Sequence, residues 1–140
     1  MADWRKYSDL NIGETFLASP PSYVVTPEVI AAYDEISTSS MTVSGGRTRG
    51  RGIASPMLAA LYIRGAQNGL KGPPGGIHAK QHFTFLMPVV AGDELFTVLA
   101  IKEKFEKNGR NFLVCETETK NQRGDRVAVG RITSIWGKEA

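Results

Sequence analysis

The stretch "ASPMLAALYIRGAQNG", residues 54–69, is the least polar helix candidate in the chain, and whatever encloses it decides the fold. Ser55 followed by Pro56 has the residue types of an N-cap and a first helical position. Asn68-Gly69 supplies a stop, so the pattern predicts a helix of roughly three turns. Met57, Leu58, Ala59, Ala60, Leu61, Ile63 and Ala66 leave it almost no polar face. A helix that is apolar all round has to be covered by other structure.

The covering material follows in the chain. After the loop "LKGPPGG" come "IHAKQHFTFLM", "LFTVLAIKEKF", "NFLVCETETK" and "RVAVGRITSIW", all with the β-branched and aromatic content of strands. Gly92-Asp93, Asn108-Gly109 and Gly124-Asp125 separate them, and Asn-Gly between β runs is a strong hairpin signal. This order predicts an α+β domain in which a long antiparallel meander curls around the apolar helix. The exposed edges and half-covered face of such a sheet predict pairing with a second subunit.

Upstream, "TFLASPPSYVV" reads as an edge or bent first strand interrupted by Pro-Pro. "TPEVIAAYDEIS" reads as a short helix with Thr26 as N-cap, Pro27 at the first helical position and Glu28 at the positive end of the dipole. Val29, Tyr33 and Ile36 share one face of it. Between the two helices lies "STSSMTVSGGRTRGRG", residues 37–52, a loop long enough to be either functional or disordered.

The 140 residues suit one domain, 1–140, that buries a core without disulfides or metal. With 41% hydrophobic and 22% charged residues, the composition is that of a soluble globular protein, and no apolar run is long enough to cross a bilayer. "MADWRKYSDL" lacks the apolar core of a signal peptide, so a cytoplasmic location and no membrane partner are expected. Cys115 is the only cysteine, which excludes an internal disulfide and a multi-cysteine metal site, and it reads as a strand thiol.

The net charge of +3 is spread along the chain and fits a small anionic ligand as well as a solvated surface. Arg47, Arg49 and Arg51 fit either the phosphates of a ligand or a solvated loop. Nucleic acid ranks last, because no aromatic residue interleaves these arginines. His78 and His82 are placed by strand alternation on one face with Lys80 and Thr84, opposite Phe83 and Phe85, without a third metal ligand nearby. No Walker loop, dinucleotide fingerprint or Ser-His-Asp arrangement is present.

In order and spacing, "YDEIS", "GIASPML", "GGIHAKQHFTFLMPVVAGDELF" and "FEKNGRNFLVCETETKNQRGDRVAVGRITSI" resemble the MaoC-like dehydratases, or (R)-specific enoyl-CoA hydratases. The resemblance covers nearly the whole chain and implies a hotdog fold, with the sheet wrapped around the central helix. It also implies an acyl-CoA or acyl-carrier thioester as ligand, a place in fatty acid metabolism, lyase activity and no separate cofactor.

In that family the inter-helix loop reads like "SGDxNPxH", whose Asp and His hold the water that adds to an enoyl thioester. Here the Ser of that motif is Ser37, and the Asp and His fall on Ser39 and Ser44. A serine hydroxyl without a neighbouring base cannot take the proton that hydration releases. The family's His-Gly at the helix start becomes Ser55-Pro56, and proline has no N–H to offer the thioester oxygen.

The resemblance therefore implies a degenerate site. Ser39 and Ser44 occupy the dyad positions, Asp34 and Glu35 stand as candidate substitute bases, and Arg47, Arg49, Arg51, Gly52, Ile53, Ala54, Ser55 and Met57 form the candidate substrate-binding set. Three readings remain open at this point. One is a non-catalytic subunit, as a homodimer or beside a dyad-containing hotdog chain; another is a hydratase with a substitute base. The third is a thioesterase-like or ligand-binding hotdog protein.

Overall fold

The computed structural model describes residues 3–38 and 52–139. Thr26 caps the first helix as its type predicts: its Oγ1 accepts the Val29 N–H at 3.1 Å, and α1 runs Pro27–Thr38. Ile30 is buried, with Val29 and Tyr33 packed against the same core. Ile36 does not join them and is exposed, because the core meets only the first two turns of α1.

The central helix begins and ends where the caps place it, in three consecutive pieces. Pro56–Leu58 form a 3-10 turn, Ala59–Tyr62 form α2 and Arg64–Asn68 form α3. Gly69 stays right-handed at φ −64°, and the left-handed residue is Lys71 at φ 51°. Gly69 instead permits close packing, since a Cβ there would lie 3.1 Å from Phe16 Cδ1. Leu58, Ala59, Tyr62, Ile63 and Ala66 are buried, whereas Met57 and Leu61 are exposed. The enclosure expected from the composition is thus built on one side of the helix.

Among the described residues six strands make the sheet: β1 Thr15–Leu17, β2 Tyr23–Val24, β3 Ile77–Phe85, β4 Glu94–Lys107, β5 Arg110–Lys120 and β6 Arg126–Ile135. β1 and β2 both pair antiparallel with β4, as two halves of one bent strand interrupted at Pro20-Pro21, where the Ser19–Pro20 peptide is cis. The order is β1-β4-β5-β6-β3. The meander holds for β4, β5 and β6, but β3 leaves it and pairs with β6 at the far edge. The reason lies in the connections. Asn108 and Gly109 adopt φ 53° and 73°, the pair of left-handed residues that a two-residue hairpin needs. Residues 86–93 are too many and too apolar for such a turn, and they cross the molecule instead.

Register shifts between Ile101 and Glu103, between His78 and Lys80, and between Thr119 and Lys120 mark bulges, which bend strands and sharpen twist. They help the sheet curl around the helix. One buried cluster joins Val25, Ile30, Leu58, Tyr62, Leu95 and Val127. A second joins Leu10, Ala66, Leu99, Ile101, Leu113, Cys115 and Trp136. Burial pushes the Cys115 thiol up to about 12, which keeps it protonated and inert, as an ordinary strand thiol should be.

Candidate functional site

A cavity of about 320 Å³ opens where three segments meet: Ile53–Pro56 leading into the central helix, Phe85 at the end of β3 with Leu86–Val89 after it, and Val127–Ala128 at the start of β6, with Tyr62 from α2. The local sequence explains why these segments stay together. Ala54 N–H donates to the Val89 carbonyl at 2.8 Å and Ala91 N–H to the Gly52 carbonyl at 2.7 Å, around an antiparallel bridge between Ile53 and Val90. Gly52 sits at φ 77°, a left-handed conformation suited to glycine.

Asp93 closes the crossing loop. It is buried, its Oδ2 accepts the Val90 N–H at 3.0 Å and its Oδ1 accepts Gln122 Nε2 at 3.1 Å. A carboxylate in this setting holds the turn that shapes the cavity wall.

The polar side chains of the wall, among the described residues, are Ser55 and Tyr62. Ser55 is buried, and its Oγ accepts the Met57 N–H at 3.3 Å. Leu58 N–H donates to the Ser55 carbonyl at 3.0 Å. With Pro56 contributing no N–H, the first donors of this helix are absent or spent within the chain. Among the described residues the buried Tyr62 hydroxyl has no hydrogen-bond partner. Burial first, then Tyr23 and Asp93, raise its pKa well above the usual phenol value.

Ile53, Ala54 and Ser55 line the cavity. Gly52 hydrogen-bonds the crossing loop beside it, and Met57 is exposed outside the wall. Ser39, Ser44, Arg47, Arg49 and Arg51 lie outside the described residues. Asp34 and Glu35 follow the buried part of α1 and do not line the cavity; Glu35 is exposed.

The two histidines do not share a face. The bulge between His78 and Lys80 pairs His78 with Ser134 and His82 with Arg131, three residues apart on β6 and so on opposite sides. His82 and Thr84 do lie together on the outer face, beside Glu116 and Arg131. Among the described residues no cluster of His, Cys, Asp or Glu could hold a metal. Strand alternation alone missed the bulge. It also missed Tyr62 and the loop 85–89 as cavity walls. The signals were a single hydroxyl on an apolar helix and the apolar run "FLMPVV", too long to be a turn.

An antiparallel sheet curled around one central helix, with a cavity at the start of that helix, defines a hotdog protein of the hydratase and dehydratase kind. The chain belongs to the family described as FAS1-like, dehydratase domain region, whose model matches residues 52–129, more than half of its length. R-hydratase PhaJ1 from Pseudomonas aeruginosa, in its unliganded form, is similar at 25% identity and TM-score 0.73, over 95% of this chain and 86% of that one. The MaoC-like dehydratase from Rhodospirillum rubrum is similar at 22% identity and TM-score 0.68, over 96% and 98%. The C-terminally truncated HadBC (3R-hydroxyacyl-ACP dehydratase) complex from Mycobacterium tuberculosis matches at 18% identity and TM-score 0.70, over 89% and 96%. No curated protein matches the sequence. The MaoC-like resemblance and the hotdog fold are thereby borne out.

Proposed function

We propose that this chain binds an acyl thioester in the cavity at the start of its central helix and does not hydrate or dehydrate it unaided. It acts as a homodimer or beside a hotdog subunit that supplies the acid–base pair. The observation that carries this reading is the chemistry of the wall. Among the described residues lining it, none can take a proton near neutral pH, and the helix-start amides that would serve a thioester oxygen are missing or already bonded. Asp34 or Glu35 as a substitute base is not favoured, because neither lines the cavity.

The apolar wall supports binding through the acyl group, with the thioester head outside. Titration of the purified protein with a series of saturated acyl-CoAs tests this. Affinity should rise with each methylene, by at most about 0.8 kcal/mol per buried CH₂, and level off once the cavity is full. Affinity indifferent to acyl length, or equal for free coenzyme A, would contradict the reading.

A further inference from the structure

The outer face of the sheet is divided by charge. Across its middle the charged side chains answer one another: Arg126 pairs with Glu118 at 2.9 Å and Arg131 with Glu103 at 3.4 Å. At one end the pattern changes. Ile77, Ile135, Phe112 and Phe105 stand directly opposite one another across β3, β6, β5 and β4, an apolar ladder on a single face. The ladder looks away from the core, because its neighbour on β5, Leu113, is buried there. Ile77 is 48% and Phe105 40% exposed, and the Phe105 and Phe112 rings stack with centroids 4.8 Å apart.

Beyond the aromatic pair, on the same side of the hairpin, Lys107 faces Arg110. Like charges directly opposite each other are destabilising. Lys80, opposite Thr133, shares this face, and Lys138 lines a cleft with Arg110, Ile77 and Ile135. All four cations are exposed and have no ion pair among the described residues. The acids at this end do not relieve them. Glu103 is taken by Arg131, Glu139 accepts the Tyr7 N–H, and Glu106 falls on the other face by alternation.

An apolar strip rimmed by unanswered cations fits an anionic, amphiphilic partner. A second copy is disfavoured, because a two-fold contact would set these cations against themselves. Four apolar side chains, none more than half exposed, present at most a few hundred Å², far short of the ~800 Å² that each partner buries in a standard protein interface. A lipid surface asks less: a few apolar side chains in the interface and cations near the headgroups. The lack of a crossing helix among the described residues, like the lack of an apolar run on which the expectation of no membrane partner rests, does not bear on surface attachment. We propose that this end of the outer face docks on an anionic lipid surface, with Lys80, Lys107, Arg110 and Lys138 meeting headgroup charge and the Phe105–Phe112–Ile135–Ile77 ladder seated in the interface.

The test is co-sedimentation of the full chain with phosphatidylcholine vesicles, with and without phosphatidylserine, at low and high salt. It compares the parent with Lys107→Gln/Arg110→Gln, with Phe105→Ala, and with Lys120→Gln/Arg126→Gln, which removes as much charge from the ion-paired part of the same face. A melting curve of each protein accompanies it. The parent should partition into phosphatidylserine vesicles only, and less so as salt rises. Lys107→Gln/Arg110→Gln should weaken partition about thirtyfold, roughly fivefold per cation, and melt no lower, since a like-charge pair is relieved. Phe105→Ala should weaken partition too, and Lys120→Gln/Arg126→Gln should change it little.

No partition of the parent, or equal loss in the two double variants, would overturn the proposal, the second by showing that net charge alone attracts the chain. Unchanged partition of Phe105→Ala would overturn it as well; if that variant melts lower, the two double variants decide. Binding of polyglutamate or a single-stranded oligonucleotide without binding of phosphatidylserine vesicles would assign the face to an acidic macromolecule instead. None of these outcomes depends on whether the cavity binds acyl thioesters.

Discussion

Proline at position 56 and serine at position 55 act together on the same few atoms. The first removes a donor from the start of the central helix, and the second turns its side chain back onto the next one, the Met57 N–H. An anion or a polarised carbonyl approaching this helix would find the positive end already answered. Ser55 is thus a capping residue in this structure as well as part of the cavity wall. Replacing it with alanine should lower unfolding free energy by about 1 kcal/mol, the usual cost of a lost cap, and leave acyl-CoA affinity unchanged. Chemical denaturation and titration of Ser55→Ala check this together. Intact stability with lost affinity would mean that the hydroxyl serves the ligand.

β3 is the element whose surroundings are least complete. All of it is exposed except Phe83, which is partly covered, and Ile77 and Phe85 near its ends show about half their surface. A nine-residue edge strand that is exposed along nearly all its length offers its unpaired backbone groups to another strand. We therefore expect it to pair with a second hotdog chain, so that light scattering on the purified protein gives twice the 15.2 kDa of one chain. A monomer whose β3 amides exchange freely with solvent would show that the edge is left open.

Elements of this kind were legible in the sequence wherever local chemistry determines them: Thr26 and Ser55 as caps, Asn108-Gly109 as a hairpin, the break at Pro20-Pro21. What was not legible depends on long-range pairing. Nothing local to β3 says that it lies beside β6 instead of β4, and the bulge that parts His78 from His82 has no residue signature of its own.

At the scale of the molecule, the curled sheet, the half-covered helix and the crossing loop held by Asp93 form one apolar container. Its mouth has no charge-bearing wall among the described residues. The order of segments was enough to recognise the hotdog fold, because that order is what wraps the sheet around the helix. The cavity was legible only on its helix side, since its opposite wall comes from residues 85–89, brought there by the crossover.

The central claim is that this container holds an acyl thioester without acting on its double bond. The most direct measurement is the loss of conjugated-thioester absorbance when the purified chain alone meets a short trans-2-enoyl-CoA, with a dyad-bearing hydratase as positive control. We predict no loss beyond the buffer rate. Steady turnover, abolished by substituting Asp34 or Glu35, would contradict the claim and show that another base reaches the cavity.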